Sequence, residues 1–143
     1  LGAILANATP EIEQSLADYG QHLGNAFQLI DDALDYTSTE AELGKNLGDD
    51  LAEGKPTLPL IYAIENGTPE QAQTIINAIK EGNRDSFNEV YAIVKATHAI
   101  EYTEKRANEE AQKAIAAIET ALPDSEYKTA LKLLAKFSVQ RQY

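Results

Sequence analysis

Cysteine, methionine and tryptophan are all absent from the 143 residues, and histidine occurs only twice. Without cysteine there is no disulfide framework and no thiolate metal centre, and a zinc site would have to rely on two histidines. Hard oxygen ligands remain, which favours Mg²⁺ or Ca²⁺. Basic charge is also scarce: 12 Lys and Arg face 23 Asp and Glu, for a formal net charge of −11. A field of that sign repels nucleic acid and anionic membranes and draws divalent cations. No run of about 18 apolar residues occurs and no charged-then-apolar leader precedes the chain, so the sequence predicts no membrane span, no secretion and a cytoplasmic setting. In that setting Asn7-Ala8-Thr9 and Asn66-Gly67-Thr68, which match the glycosylation acceptor pattern, read more simply as helix-start residues.

What is present is ordinary in amount and uneven in placement. Hydrophobic residues make up 43% of the chain, enough for one domain with a real core. The apolar stretch Leu1–Ala6, with no initiator methionine, reads as the last turns of a helix whose beginning is missing, so residues 1–143 are expected to be a single segment of something longer. Between Asp31 and Lys55 stand eight acidic residues against two lysines, which places over half of the net negative charge in about a sixth of the chain. A bare polyphosphate would be repelled there unless a metal ion came with it.

Local signals predict helices throughout. Thr9-Pro10-Glu11 supplies an N-cap, a first-turn proline and an acid near the positive dipole end. From there Ile12, Leu16, Tyr19, Leu23, Ile30 and Leu34 recur as one buried stripe of a helix running to about Tyr36. At about 100° per residue, Gly20, Gly24, Gln28, Asp31 and Asp35 fall on an adjoining face, and Asp32 lies farther round. Glycine in a helix costs about 1 kcal/mol relative to alanine, tolerable where a ligand or another backbone comes close. Residues 37–55 show little periodicity and are broken by Gly44, Gly48 and Gly54, which predicts a loop with at most a short turn; loops of that length are usually functional or disordered. Further helices are expected over 56–66, closed by Gly67; over 71–80, with a capping box from Thr68 to Gln71 and a stop at Gly82; over 85–96; over 98–121; and over 125–140. The fold class is therefore all-α, a helical bundle. Phe87 and Tyr91, at helical spacing, read as core rather than as part of a substrate-facing aromatic row with Tyr102, Phe137 and Tyr143.

The chemistry concentrates in Asp31-Asp32-Ala33-Leu34-Asp35. Asp31 and Asp35 are one helical turn apart and can address the same metal ion, with Asp32 as a flanking ligand or as an acceptor for groups around the metal. As like charges at the negative end of a helix they need a cation to offset them, although an acidic solvated helix end is an equally fair reading of the triplet alone. The neighbours shift that balance. Phe27-Gln28 precedes the acids, Gly44-Lys45 follows them, and then comes Gly48-Asp49-Asp50-Leu51-Ala52-Glu53-Gly54-Lys55-Pro56-Thr57-Leu58-Pro59.

In that order and spacing the chain resembles the C-terminal half of the trans-isoprenyl diphosphate synthases, whose second aspartate-rich motif is preceded by Phe-Gln and followed by Gly-Lys and then Gly-Lys-Pro-Thr. The resemblance covers effectively the whole chain and is closest to the bacterial long-chain, octaprenyl-type branch that makes quinone side chains. Pro123-Asp124-Ser125-Glu126-Tyr127 and Ser138-Val139-Gln140-Arg141 fit that branch less specifically. It implies the C-terminal portion of an isoprenoid-synthase-type fold, Mg²⁺ as the metal, an allylic diphosphate and isopentenyl diphosphate as substrates, and a homodimer for the intact enzyme. It also implies that Asp31, Asp32 and Asp35 hold Mg²⁺ bridging to the allylic diphosphate. Lys45 and Lys55 would neutralise phosphate oxygens, and Gln28 would turn its amide oxygen toward the ionising carbon. Metal and ammonium ions stabilise a departing pyrophosphate, and carbonyl-type dipoles stabilise an allylic cation. For the lysines the plainer alternative is charge balance in an acidic loop; for Gln28 it is a bond to a neighbouring backbone group. Thr57 reads as a helix-start residue, and His22 and His98 as structural.

The first aspartate-rich motif of that family and its isopentenyl-diphosphate arginines do not occur in these residues, so the segment by itself is expected to be inactive. Two rival readings remain at this level. A terpene cyclase would share the metal-assisted ionisation, though Gly-Lys-Pro-Thr resembles the chain-elongating branch. A non-catalytic helical subunit or metal-binding module would assist a catalytic partner. A segment of a larger bundle should also expose apolar surface, with Leu1, Ile4, Leu5 and the stripe of the first long helix as candidates.

Overall fold

The computed structural model describes residues 1–37, 48–82 and 85–140. Among them all regular structure is helical: α1 (Gly2–Leu5), α2 (Pro10–Thr37), α3 (Asp49–Ala52), α4 (Leu58–Asn66), α5 (Pro69–Glu81), α6 (Phe87–Ala96), α7 (Ala99–Glu119) and α8 (Glu126–Val139). The all-α expectation holds, and no described helix is long and apolar enough to cross a membrane.

The caps decide most of the boundaries. The Thr9 carbonyl accepts from Glu13 N–H at 3.0 Å, opening α2 where Pro10 can enter without losing a bond. At α5 both arms of the capping box form: Gln71 N–H donates to Thr68 Oγ1 (3.2 Å) and Thr68 N–H to Gln71 Oε1 (2.9 Å). Gly82 then ends the helix at φ +58, a conformation that glycine adopts without steric cost. Two helices start two residues later than their sequence signals suggest. Thr57 is the extended N-cap of α4, with Pro59 in the first turn, and Ser86 is the N-cap of α6. The short α3 occupies part of what reads as loop in the sequence.

Contacts gather the described chain into two compact units. In the one formed by residues 1–28 and the chain from 106 onward, Tyr19, Ala114, Ile118 and Ala135 are the buried centre, flanked by Leu16, Leu23, Leu122 and Leu131. Tyr19 also donates its phenol proton to the Leu131 carbonyl at 2.9 Å, so its polar end is satisfied where its ring is buried. Glu110 is buried on α7 among three donors. Lys113 Nζ reaches Oε1 at 2.6 Å, while His22 Nδ1 (2.7 Å) and Asn25 Nδ2 (3.1 Å) meet Oε2. The Lys113 ammonium first, then the His22 and Asn25 contacts, pull its carboxyl down to about 2, against the opposing effect of burial. His22 is thus a structural partner, as its place on the helical wheel suggests. Lys128 is likewise buried, and its ammonium donates to the carbonyls of Glu119 (2.6 Å) and Leu122 (3.0 Å) and to Asp124 Oδ1 (2.9 Å). Those carbonyls lie at and just beyond the end of α7, where helical partners run out, so three N–H donors meet three acceptors and the turn into α8 is fastened.

In the unit formed by Leu29–Lys105, the core is Ala33, Tyr36, Leu51, Leu60, Ala63, Ile75, Ala78, Val90, Ile93, Val94, Ala99 and Ile100. Each large aliphatic side chain removed from water there contributes roughly 1.5–3 kcal/mol. Phe87 and Tyr91 pack against this core, as their helical spacing predicts, and stack on one another at 5.9 Å. Tyr102 stacks on Tyr62 at 4.0 Å instead of joining an aromatic row.

The apolar surface expected at Leu1, Ile4 and Leu5 is exposed. The stripe of α2 is covered more than expected: Tyr19 and Ile30 are buried, and Ile12, Leu16, Leu23 and Leu34 are half-buried. The sequence did not single out a second exposed apolar group, Tyr127, Leu133, Leu134 and Phe137 on α8.

Because the Glu110 carboxyl lies below its ordinary value near 4.5, its stabilising effect is complete above that pH and is lost as pH falls toward about 2. Glu110→Gln is expected to destabilise the fold by about 1–3 kcal/mol near neutrality. Thermal unfolding measured at pH 7 and pH 3 should show the gap to the parent chain narrowing at the lower pH.

Candidate functional site

The acidic end of α2 exposes Asp31, half-buries Asp35 and leaves Asp32 only 6% exposed. A helix C-terminus presents partial negative charge, so carboxylates there sit in an unfavourable field. The Asp50 N–H, in the first turn of α3, donates to Asp35 Oδ2 at 3.3 Å and offsets part of that field across a gap of 15 residues. Two features bring α3 to this place. Leu51 is fully buried in the core, and Gly48 precedes the helix at φ +76 with its α-carbon against the Phe87 ring.

The chain then turns back. Gly54 adopts φ +69 where any Cβ would approach the Ile79 carbonyl to 2.9 Å, and Lys55 N–H closes the turn on the Asp50 carbonyl at 2.9 Å. Lys55 Nζ donates to Asp50 Oδ1 at 3.3 Å and also pairs with Glu53. Hydrogen bonds donated to Glu53 and then to Asp50 hold the Lys55 ammonium above its ordinary value, so it carries full charge. Asp50 therefore joins the helix-end carboxylate, through its backbone, to the lysine of Gly-Lys-Pro-Thr, through its side chain. The sequence signal for this residue was present in Gly48-Asp49-Asp50, but its role depends on a contact that spacing does not reveal.

Tyr36 is 2% exposed and its ring lies 6.1 Å from that of Phe87, inside the core. Among the described residues its hydroxyl has no partner at hydrogen-bonding geometry, and neither does Thr57 Oγ1, although the Thr57 hydroxyl is close enough to act on the phenol. Burial first, then the charges of Asp35, Asp50 and Asp32, push the phenol far above its ordinary value, so it remains a neutral O–H donor. Each buried hydroxyl left in this state costs about 1–3 kcal/mol. Thr57 is the helix-start residue that the sequence suggests, but its side chain makes no capping bond.

The remaining candidates divide as follows. Gln28 is exposed on α2, and Lys45 lies outside the described residues. Gly20 and Gly24 face open space, with nothing within 4 Å of an added Cβ, so no close backbone among the described residues accounts for them. His98 stands between α6 and α7 at φ +56, with Glu101 as its partner at 3.5 Å. No group of three or more Asp, Glu or His side chains among the described residues gathers tightly enough to hold a metal ion by itself. The carboxylates of Asp31 and Asp35 at the helix end are hard oxygen donors, and the chain has no cysteine to offer sulfur.

Comparison with known proteins identifies the family. A family model described as Polyprenyl synthetase matches residues 1–97. The chain belongs to the polyprenyl synthetase family. It is 55% identical over 139 residues to the octaprenyl diphosphate synthase of Escherichia coli, covering 96% of this chain and 43% of that protein. To the octaprenyl diphosphate synthase of Haemophilus influenzae it is 54% identical over 142 residues, with coverage of 99% and 43%. Among solved structures, a polyprenyl synthase from Caulobacter crescentus complexed with calcium and isoprenyl diphosphate superimposes with a TM-score of 0.88 at 39% identity, covering 99% of this chain and 44% of that one. A geranylgeranyl pyrophosphate synthase from Corynebacterium glutamicum, complexed with isoprenyl diphosphate and magnesium, gives 0.84 at 30% identity, covering 99% and 41%. The chain thus spans less than half the length of the relatives it matches.

Gly48→Ala tests whether α3 is needed where it lies. A methyl group there forces an unfavourable φ and overlaps the Phe87 ring. The expected cost is about 2–4 kcal/mol of stability, read from chemical denaturation.

Proposed function

We propose that these residues form the second half of a trans-polyprenyl diphosphate synthase active site, in a protein that condenses an allylic diphosphate with isopentenyl diphosphate. Octaprenyl length, and so a role in quinone side-chain synthesis, is the reading favoured by the 55% and 54% identical relatives. The observation that carries the proposal is the linkage Asp35–Asp50–Lys55, which sets an acidic helix end beside a charged lysine. Carboxylates alone would repel a diphosphate and a lysine alone would give no metal site; together they suit a magnesium–diphosphate pair.

In this reading Asp31 and Asp35 would hold Mg²⁺, with the buried Asp32 beside them. When bound, the metal would supply positive charge against the phosphate oxygens as the leaving group departs. The Asp50 amide holds Asp35 in one orientation. Lys55 offers an ammonium to a phosphate oxygen, as Lys45 would from outside the described residues, and Gln28 would turn its amide oxygen toward the allylic cation. Proton loss from the condensed product completes the reaction. A cytoplasmic homodimer is part of the same proposal. The 143 residues alone are expected to give no prenyl transfer, because they contain no first aspartate-rich motif.

Asp31→Ala and Asp35→Ala, each made in the complete enzyme, are expected to lower incorporation of labelled isopentenyl diphosphate at least about 100-fold. Magnesium pyrophosphate binding by calorimetry should weaken in parallel. Unchanged turnover in both variants would refute the assignment and favour a helical subunit whose acids serve no chemistry.

A further inference from the structure

The Lys55 ammonium is clamped between Asp50 and Glu53. It has one N–H to spare, but a diphosphate drawn to it in that position would meet the repulsion of both carboxylates. Swinging the flexible four-carbon stem toward the anion relieves the repulsion and strips Asp50 Oδ1 of its donor. The Asp50 side chain is only 22% exposed and stands beside Asp35, so solvent compensates it poorly. A buried O–H group with no partner at hydrogen-bonding geometry among the described residues is already close by. The Tyr36 phenol is buried, its ring is fixed in the core against Phe87, and its oxygen lies within the influence of Asp35 and Asp50.

We propose that Tyr36 is a positioning residue, whose hydroxyl takes over the Asp50 carboxylate when Lys55 turns to the diphosphate. The inference rests on the diphosphate reading of the site. It explains why an unsatisfied buried hydroxyl is kept within the field of the Asp35 and Asp50 carboxylates: the bond it lacks in the ligand-free state is the one it makes in the bound state. Thr57 Oγ1, the other unpartnered hydroxyl, sits at the start of α4 just after the turn that carries Lys55 and lies near the phenol. No covalent bond changes; one hydrogen bond replaces another at the same carboxylate.

The test is a double-mutant cycle read by calorimetric titration of magnesium pyrophosphate and by thermal unfolding without ligand. Tyr36→Phe removes one oxygen. The expected result is a ligand-free melting temperature equal to or above that of the parent, with affinity for magnesium pyrophosphate weakened roughly tenfold. In an Asp50→Asn background the same Tyr36→Phe change should alter affinity by less than about twofold, because the anion it serves is gone. The proposal is overturned if Tyr36→Phe binds as the parent does, if the loss is equal in both backgrounds, or if affinity and melting temperature fall together, as plain loss of packing would give. If the parent protein itself fails to bind magnesium pyrophosphate, the diphosphate reading fails, and this inference with it.

Discussion

Everything at the candidate site follows from the crowding of like charge at the end of α2. Three carboxylates within five residues, at the pole of a helix that is already partly negative, are tolerated only if donors are brought to them. The backbone amide of Asp50 is one such donor, and it comes from far along the chain. Bringing it there places strict demands on the intervening chain: a buried Leu51, a left-handed glycine at 48 pressed on Phe87, and a second at 54 pressed on the Ile79 carbonyl. Local backbone geometry, core packing and site electrostatics are thus one constraint seen at three scales.

The other compact unit handles buried charge differently. Glu110 has a donor for both oxygens, and Lys128 has an acceptor for every proton. Satisfied networks of this kind rigidify a scaffold and stabilise it. The site around Tyr36 is the reverse, with two buried hydroxyls that find no partner at hydrogen-bonding geometry among the described residues, where chemistry is expected. Departures from complete satisfaction are more informative where the rest of the molecule observes it.

Much of the frame was readable from sequence because its signals are local. Thr68 and Gln71 form the capping box that their spacing announces, Gly82 stops α5, and Ser125 caps α8 by accepting from Lys128 N–H. The late starts of α4 and α6 mark the limit of such signals, since a proline or an acid near a helix start does not say which residue takes the cap. At the site, the order of Asp31, Asp35, Gly-Lys and Gly-Lys-Pro-Thr was legible as a family pattern. The part played by Asp50 was not, because it depends on a bond across 15 residues. Glu110 was harder still: in sequence it is half of an ordinary Glu-Glu pair on a charged helix, and two of its partners stand 85 and 88 residues away. The apolar face of α8 escaped notice because helical periodicity shows that a stripe exists and not whether it is covered.

Tyr36 belongs to two regions of the molecule at once, with its ring among the apolar side chains and its oxygen in the field of the carboxylates. The residues lining the ring are therefore not free to drift as interior positions elsewhere do. A change of volume at Phe87 or its neighbours that the hydrophobic interior could absorb by a small rotation would re-aim a hydroxyl several bonds away. Natural variation at those positions should accordingly be correlated with variation in the acidic turn, a dependence set by the rigidity of a single aromatic ring.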